Sequence, residues 1–322
     1  MAVIVTGATS FIGKAAVEEC LRQGHKVYAV ARPGSAGIER LRAIKAIKAG
    51  NGAEDPAGAG DGKLKLLECS LQEIETLQSL SIPDASAWLH LGWEGAGSAN
   101  RQDPALQAKN IGYAISALKT AAALGCTRFL FSGSQAEYGI CHSPMKEDQP
   151  CHPVSEYGKD KVLVWEQAKE LSVQLRIDYI HTRIFSVYGP GDHPWSLISA
   201  CLDTFLKGGH MEMGPCTQQW NFLYVTEAAA LLTKLLLGKA PAGVYNVAGD
   251  DTRPLRDYIE ELHRLCGSQG TYHFGDRPPN AEGMVSLMPD LSRLKEVTGF
   301  TQQIPFAEGI RRLVQEKEGE YR

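Results

Sequence analysis

The sequence has no paired cysteine motif: eight cysteines are scattered over 322 residues, with no Cys-x-x-Cys pair and no Cys/His spacing typical of a zinc site. We therefore expect free, buried thiols and no metal centre. The sequence also has no basic stripe interleaved with aromatic residues, and its net charge of −4 argues against a nucleic-acid surface. No hydrophobic run is long enough to span a membrane.

We also expect no secretory signal segment, because the first predicted strand already begins at Ala2. We therefore expect a cytoplasmic protein without a membrane partner. With 43% apolar and 22% charged residues, the chain has the composition of a globular protein. Its length allows one large domain or two of ordinary size, with a sizeable core in either case.

The amino-terminal segment predicts a strand, a phosphate-binding turn and a helix. The apolar run from Ala2 is typical of a parallel strand buried on both faces, and Lys14–Gln23 has the pattern of a helix. Backbone N–H groups at the helix start would face an anion such as a dinucleotide pyrophosphate. Gly7 would make the tight turn and Gly13 would allow close helix packing, although Ser10 occupies the usual middle-glycine position. Taken alone, the segment also fits an ordinary strand-to-helix connection.

The end of the second predicted strand, Lys26–Ala31, indicates which cofactor is bound. In a dinucleotide fold an acidic residue at this point would hold the adenosine ribose of NAD, and none is present. Arg32 and Ser35 instead offer a guanidinium and a hydroxyl, which fit the 2′-phosphate of NADP. The alternative is that Arg32 is a solvated surface residue. The sequence therefore favours NADP(H).

Strands and helices alternate through the first half of the chain. Predicted strands cover Lys63–Glu68, Ala87–Gly92 and Arg128–Ser132, predicted helices cover Ile38–Lys48, Leu71–Ser79 and Pro104–Leu124, and a mobile loop is expected at Ala49–Gly62. This alternation predicts an α/β fold with a doubly wound parallel sheet, in which ligands bind at the carboxyl ends of the strands. Gly92 would then lie beside the cofactor.

A tyrosine and a lysine four residues apart, Tyr157 and Lys161, open the next predicted helix. On a helix they share one face, and the lysine ammonium would lower the pKa of the tyrosine toward the working pH of a proton donor. An isolated pair at this spacing is more typical of an exposed helix face. Here the pair follows the serine-rich turn Ser132–Gly139 by about 20 residues and the glycine turn by about 145, which makes the pattern more specific.

Together these motifs resemble the extended short-chain dehydrogenase/reductase family, which includes nucleotide-sugar epimerases, dehydratases and ketoreductases. The resemblance spans nearly the whole chain, with TGATSFIG near the start, SGSQAEYG and EYGKDK in the middle, and RIFSVYGPG, WNFLYV, GVYNVAGD, DRPPN and DLSRL later. It implies a catalytic triad of Ser134, Tyr157 and Lys161, with Asn110 in support. It also implies a Rossmann fold whose cofactor contacts are Gly7, Thr9, Ser10, Phe11, Ile12, Gly13, Arg32, Ser35, Leu91, Gly92, Trp93 and Lys161.

The substrate side departs from the family pattern at several positions. Gln135-Ala136 stand where sugar 4,6-dehydratases have Asp-Glu, which argues against a dehydratase because these residues cannot supply its acid and base. Trp220-Asn221 replace an Arg-Asp pair of epimerases, and Ser186 replaces a common asparagine. The substrate contacts implied by the resemblance are Gln135, Ser186, Trp220, Arg277 and Asn280, of which Arg277 suits a diphosphate. For the aromatic residues Trp195, Trp220 and Phe222, core packing is the alternative to lining the cleft.

The resemblance also implies a second, smaller α/β lobe that covers the substrate. We expect residues 1–184, with 221–248 returning to them, to form the dinucleotide-binding domain, and residues 185–220 and 249–322 to form the substrate lobe. In addition, apolar residues recur at helical spacing on the two long helices, at Ile111, Ile115, Leu118, Val164 and Ala168. This is more than one sheet face should need, and because the family packs these two helices across a two-fold axis into a four-helix bundle, the resemblance implies a homodimer.

The function favoured by the sequence is an NADPH-dependent oxidoreductase that reduces a keto group, at C4, of a nucleotide-linked sugar. Tyr157 would deliver the proton, Lys161 would hold the nicotinamide ribose, and Ser134 would hydrogen-bond the carbonyl oxygen. The main alternative is a nucleotide-sugar C4 epimerase, which uses the same triad with a retained NAD(P), whereas a reductase draws on exchangeable NADPH. A non-catalytic NADP sensor is a third possibility, but a sensor has no need of the triad.

Overall fold

The computed structural model describes residues 1–50, 63–80, 82–275 and 283–320. The helix predicted over Ile38–Lys48 runs from Gly37 to Gly50, and the rest of the loop predicted to follow it lies outside the described residues. Within the described part of the chain, no helix is long and apolar enough to cross a membrane.

The strands, numbered in chain order, are β1 Ala2–Thr6, β2 Lys26–Ala31, β3 Leu64–Glu68, β4 Ala85–His90, β5 Arg128–Ser134, β6 Asp178–Ile184, β7 Ser186–Tyr188, β8 His210–Met213, β9 Gln219–Tyr224, β10 Gly243–Val247, β11 Thr252–Pro254 and β12 Thr271–Phe274. The α-helices are α1 Phe11–Arg22, α2 Gly37–Gly50, α3 Pro104–Ala123, α4 Glu156–Leu175, α5 Leu197–Leu206, α6 Val225–Leu237, α7 Leu255–Leu265, α8 Ser292–Thr298 and α9 Phe306–Glu320. Short 3₁₀ helices cover Leu71–Ser79, Ser98–Asn100 and Gln135–Glu137, so the helix predicted at the first of these is of the tighter type.

The main sheet has seven parallel strands in the order β10-β6-β5-β4-β1-β2-β3. Alternate residues of β1 face opposite sides: Val3 and Val5 pack with α1 and α6, whereas Ala2 and Ile4 pack with α3 and α4. Helices therefore cover both faces, which confirms the predicted doubly wound α/β fold. The strand order reverses direction between β1 and β4, so the carboxyl ends of these two strands flank the crevice in which such folds bind ligands.

The remaining strands form two small sheets. β9 lies between β11 and β7, and β8 pairs with β12. Helices α5, α7 and α9 pack against them around a separate apolar cluster that is rich in aromatic side chains, namely Tyr188, Phe205, Phe222, Tyr258 and Phe306. Residues 221–224 thus pair with β7 and β11, and the chain returns to the large sheet through α6 and β10.

The apolar stripe on α3 and α4 is largely used within the chain itself. Leu118, Val164 and Ala168 are buried in the cluster between these helices and the sheet, and Ile111 and Ile115 are half-buried against it. The packing of a single chain therefore accounts for most of the stripe that the sequence assigns to a partner.

All eight cysteines are free thiols, as expected from their scattered positions. Six are buried, whereas Cys141 and Cys151 are half-buried on the segment after β5. Burial raises the pKa of Cys20 and of Cys266 to about 11, so these thiols stay protonated and unreactive at neutral pH.

Candidate active site

The turn between β1 and α1 has no room for side chains at its two glycines. Gly7 has a φ of +70°, and a Cβ at this residue would lie 2.7 Å from the backbone nitrogen of Gly92. A Cβ on Gly13 would lie 2.0 Å from the carbonyl oxygen of Gly7. Gly7 therefore permits the tight turn and Gly13 lets the helix lie against it.

Ser10, at the middle-glycine position, is the N-cap of α1. Its φ of −73° is one that any residue adopts, and its hydroxyl accepts a hydrogen bond from the backbone N–H of Gly13 at 3.1 Å. Phe11 and Ile12 then form the start of the helix, where backbone N–H groups have no partner within the helix. The serine therefore replaces glycine without strain and leaves the helix end available to an anion.

A first cavity, of about 530 Å³, opens at the carboxyl ends of β1, β2 and β4. On its β2 side the Ser35 hydroxyl donates a hydrogen bond to the Thr9 hydroxyl at 3.1 Å, and Arg32 is exposed at the rim. The predicted cofactor residues that line this cavity are Gly7, Thr9, Ser10, Arg32, Ser35, Leu91, Gly92 and Trp93. Gly13 lies behind the turn and acts through packing.

A second cavity, of about 450 Å³, adjoins the first and shares Ser10, Leu91 and Trp93 with it. The predicted residues that line only this cavity are Phe11, Ile12, Ser134, Gln135, Tyr157, Lys161 and Ser186. The structure thus brings the three predicted triad residues to the far end of a crevice that starts at the glycine turn. Both volumes lie within the range of small-molecule sites.

Tyr157 and Lys161 lie on the first turns of α4, which is fixed at its start by two contacts. The Ser155 hydroxyl caps the helix by accepting a hydrogen bond from the Gly158 N–H at 3.2 Å. The Tyr157 N–H donates to the Arg101 carbonyl at 3.0 Å. The Lys161 ammonium nitrogen lies 5.4 Å from the centroid of the Tyr157 ring, which confirms that the two side chains share one helix face.

Lys161 is enclosed almost completely, with 2% of its surface exposed. Its ammonium nitrogen lies 3.9 Å from the Trp93 ring centroid and 4.6 Å from that of Phe131, and it donates a hydrogen bond to the Ser132 carbonyl. Burial lowers the pKa of Lys161 from 10.5 to about 7, against the opposing effect of the Glu137 carboxylate. The lysine therefore titrates near neutral pH.

Ser134 is the last residue of β5 and lies at the carboxyl end of the sheet. Its hydroxyl accepts a hydrogen bond from the Ala136 N–H at 3.2 Å, and its own N–H donates to the Glu137 carboxylate at 2.8 Å. This reciprocal cap fixes the short 3₁₀ helix after the strand. The Ser134 hydroxyl can still donate its hydrogen to an oxygen in the second cavity.

Asn110 supports the site without lining either cavity. It is buried on α3, where its amide oxygen accepts the Glu94 N–H at 2.7 Å and its amide nitrogen donates to the Glu94 carbonyl at 3.0 Å. These two bonds hold the loop after β4, which lines both cavities. Its effect on a ligand would therefore be indirect.

Three aromatic residues considered for the substrate cleft, Trp195, Trp220 and Phe222, line neither cavity. Trp220 is half-buried between two apolar clusters, and Phe222 is buried beside Tyr258 in the small-sheet cluster, so both serve packing in this structure. Trp195 is 69% exposed and stacks on His193. Arg277 and Asn280 lie outside the described residues.

Two charged or titratable residues that the sequence did not single out also line the second cavity, Arg101 and His193. The guanidinium carbon of Arg101 lies 4.5 Å from the Tyr157 ring centroid, and the rings of His193 and Trp195 stack with their centroids 4.5 Å apart. Both come from loops, where no periodicity or motif marks them. Their positions beside the cavity depend on contacts between segments that are distant in the sequence.

Comparison with known proteins gives one family and a consistent set of relatives. The NAD dependent epimerase/dehydratase family matches residues 3–248. The dTDP-6-deoxy-L-talose 4-dehydrogenase (NAD(+)) of Aggregatibacter actinomycetemcomitans is 23% identical, over 81% of this chain and 89% of that protein. The UDP-glucose 4-epimerase of Mycolicibacterium smegmatis is 22% identical over 98% of both chains.

Among solved structures, that of the UDP-glucose 4-epimerase of Thermotoga maritima with UDP-glucose superimposes with a TM-score of 0.82, at 20% identity over the whole of both chains. At this identity the likeness shows the fold. The family match covers the glycine turn, the serine turn and the Tyr157–Lys161 helix together. The chain therefore belongs to the NAD dependent epimerase/dehydratase family.

Proposed function

We propose that this protein oxidises and re-reduces C4 of a nucleotide-linked sugar with NAD(P), and so acts as a C4 epimerase. The observation that carries this proposal is the continuous crevice from the glycine turn to Ser134, Tyr157 and Lys161. All three named relatives act at position 4 according to their names, two as epimerases and one as a dehydrogenase. In this proposal the large sheet with its helices binds the cofactor and the small sheets cover the substrate.

The cofactor fits the first cavity by its chemistry. The glycine turn and the capped start of α1 present backbone N–H groups to a diphosphate, and Arg32 presents its guanidinium beside the Ser35 hydroxyl at the end of β2. When bound, the nicotinamide supplies the acceptor and donor of a hydride. Lys161 lines the second cavity, with its ammonium over the Trp93 ring that both cavities share, and would hold the ribose next to the nicotinamide.

The second cavity supplies the proton chemistry. Tyr157 exchanges a proton with the C4 oxygen of the sugar, since this tyrosine lines the cavity together with Ser134 and Lys161. The Ser134 hydroxyl hydrogen-bonds the same oxygen and orients it. The Lys161 ammonium stabilises the phenolate that forms, and Arg101 stacked on the ring acts in the same direction.

An NADPH-dependent 4-ketoreductase is the second candidate, and Arg32 is the observation that favours it. A guanidinium at this position suits the 2′-phosphate of an exchangeable NADPH, whereas an epimerase returns its cofactor to the starting state in each cycle. The sequence alone therefore favours a reductase, while the names of the relatives favour an epimerase.

A panel of nucleotide sugars and 4-keto nucleotide sugars, analysed by chromatography and mass spectrometry, separates the two candidates. We expect the purified protein to convert a nucleotide sugar into an isomer of the same mass without net consumption of cofactor. Stoichiometric oxidation of NADPH by a 4-keto sugar, with no isomerisation, would instead assign the reductase. Failure to convert any member of the panel with NAD⁺, NADH or NADPH present would contradict both.

Cofactor preference gives a first testable prediction. NADPH is expected to bind at least about tenfold more tightly than NADH, and Arg32→Asp is expected to reverse the order, because the variant loses a phosphate contact and gains a repulsive charge. Arg32 is exposed, so solvent screening limits each of these two effects to about one or two kcal/mol, and their sum exceeds the roughly 1.4 kcal/mol of a tenfold preference. Fluorescence titration of both cofactors measures it. Arg40→Asp, on the exposed face of α2, is the matched control; equal affinities in the unmodified protein would contradict the prediction.

The second testable prediction is that the chain forms a homodimer. We propose that the outer faces of α3 and α4 pair with those of a second copy, since Leu163 and Val173 of α4 remain 40% and 77% exposed. Sedimentation at micromolar concentration is expected to give twice the chain mass of 35.0 kDa. Leu163→Asp with Val173→Asp should yield monomers. A monomer in the unmodified protein would show that the helices serve the core alone.

A further inference from the structure

A buried polar cluster lies directly beneath the candidate active site. The Glu137 side chain is fully buried, and its carboxylate accepts hydrogen bonds from the Ser134 N–H at 2.8 Å and from the Arg183 Nε at 2.9 Å. The His181 Nε2 lies 2.9 and 3.0 Å from its two oxygens. His181 and Arg183 both come from β6, the neighbour of β5 in the sheet. One carboxylate therefore joins the serine turn to the next strand.

Gly133 makes room for this cluster. A Cβ at Gly133 would lie 2.3 Å from the His181 Nε2 and 2.4 Å from a Glu137 carboxylate oxygen, and neither atom could move without breaking the bond between them. Gly133 also lies between two residues that are fixed by hydrogen bonds. The Ser132 carbonyl accepts one from the Lys161 ammonium, and the Ser134 N–H donates one to the Glu137 carboxylate. The end of β5 is thus held by a cation on one side and a carboxylate on the other.

The protonation state of the cluster follows from its donors. Burial by itself would raise the pKa of Glu137, but the hydrogen bonds from His181 and from the Ser134 N–H, together with the positive charge of Arg183, hold that pKa below its usual value. An ionised carboxylate only accepts, so the His181 Nε2 carries the hydrogen and the Nδ1 accepts one from the Tyr179 hydroxyl at 3.0 Å. Burial lowers the pKa of His181, which keeps the imidazole neutral.

Among the described residues, the titratable groups that interact electrostatically with Lys161 include Glu137, Arg101, His90 and the neutral His181. Glu137 stabilises the ammonium, whereas Arg101 opposes it. The buried His90 at the end of β4 has a pKa lowered to about 3 by burial and by Lys161, so it is neutral. Arg183 on β6 is bound directly to Glu137.

We propose that Glu137 is a positioning residue of the active site: it fixes Ser134 through the serine N–H, and its buried negative charge stabilises the protonated form of Lys161. His181 and Arg183 hold the carboxylate in place, and Gly133 leaves the space that it needs. The assignment rests on the proposed function for the roles of Ser134 and Lys161. Its electrostatic part concerns the chain alone and can be tested without a substrate.

The test is the titration of Lys161 followed by NMR in the full chain labelled with ¹³C-lysine, with the Lys161 signal assigned by its loss in Lys161→Met. We expect the titration to move to lower pH by at least half a unit in Glu137→Gln. The matched control is Glu227→Gln, which removes the charge of another buried carboxylate far from the cavities and should leave the titration unchanged. An unchanged titration in a folded Glu137→Gln protein would overturn the proposal, whatever the reaction proves to be.

A second variant separates the charge from the contact and also serves if Glu137→Gln does not fold. Glu137→Asp keeps the charge but is too short to reach the Ser134 N–H. We expect Lys161 to titrate as in the unmodified protein, while kcat on a confirmed substrate falls about tenfold with little change in KM. Unchanged kcat in this variant would overturn the positioning of Ser134. If the unmodified protein converts no nucleotide sugar, the proposed function is contradicted. The NMR titration of Lys161 then still tests the effect of the Glu137 charge.

Discussion

Replacing Tyr157 by phenylalanine is expected to lower kcat by about 10²-fold or more while leaving the affinity for the nicotinamide cofactor nearly unchanged. The variant removes one hydroxyl and keeps the ring, which lies edge-on to Trp93 at 5.8 Å between ring centroids and beneath the Arg101 guanidinium. The fold and the cavity therefore persist, and only the proton-transferring group is lost.

Steady-state kinetics on a confirmed substrate, with cofactor binding measured in parallel, checks this prediction. Tyr113→Phe is the matched control, because Tyr113 lies on α3 and lines neither cavity. More than about half of the activity retained in Tyr157→Phe would mean that another group transfers the proton. Tyr138 is not that group in this structure, since it is fully buried and its hydroxyl donates to Asn246 at 2.7 Å.

Replacing Lys161 by methionine is expected to weaken cofactor binding and abolish most turnover, yet to make the protein more stable. The pKa of Lys161 falls from 10.5 in the unfolded chain to about 7 in the folded chain. Below pH 7 the lysine is protonated in both states, so burial of its ammonium lowers the free energy of unfolding by the full equivalent of this pKa difference, roughly 5 kcal/mol. The methionine loses a hydrogen bond and two cation–π contacts, with Trp93 and Phe131, each of about 1 kcal/mol. The expected net gain is about 2 kcal/mol at acid to neutral pH.

The pH dependence of this gain has a definite sign. Between about pH 7 and 10.5 the unfolded chain binds more protons at this lysine than the folded chain, so the stability of the unmodified protein rises with pH in that window. The advantage of Lys161→Met should therefore shrink as pH rises. Urea unfolding at several pH values measures it, and Lys159→Met, which removes an exposed lysine of the same helix paired with Glu156, should change stability little. A Lys161→Met protein less stable than the parent at neutral pH would contradict the assignment.

The local motifs could be predicted from the sequence because each is fixed by neighbours in the chain. The glycine turn, the end of β5 and the Tyr157–Lys161 pair each lie at a strand end or a helix start, and the carboxyl ends of parallel strands must meet at one edge of the sheet. The parallel sheet itself followed from the alternation of strands and helices. These features and the family resemblance together predicted that Ser134, Tyr157 and Lys161 form one site, and all three line the second cavity.

The remaining features depend on contacts between distant segments. The Glu137–His181 pair joins the 3₁₀ helix after β5 to a residue of β6 that lies 44 positions later, and Arg101 reaches Tyr157 from a loop with no recurring pattern. Ser10 occupies a glycine position of the motif and caps α1 there. The sequence motif alone does not show whether such a serine caps the helix or marks a turn that no longer binds a phosphate. For the apolar stripe on α3 and α4, the helical spacing predicts that this face is buried. The spacing does not say whether the sheet of the same chain or a second copy covers it.

The central claim, reversible oxidation at C4 in the cavity of Tyr157, is tested most directly with nucleotide sugars that carry deuterium at C4. The purified protein, given no more than one equivalent of NAD(P)⁺, is incubated with each labelled sugar and the products are followed by ¹H NMR. The account predicts a C4 epimer that keeps the deuterium at C4, formed by the unmodified protein and not by Tyr157→Phe. Epimerisation with loss of the label to water, or at equal rates in both proteins, would contradict it.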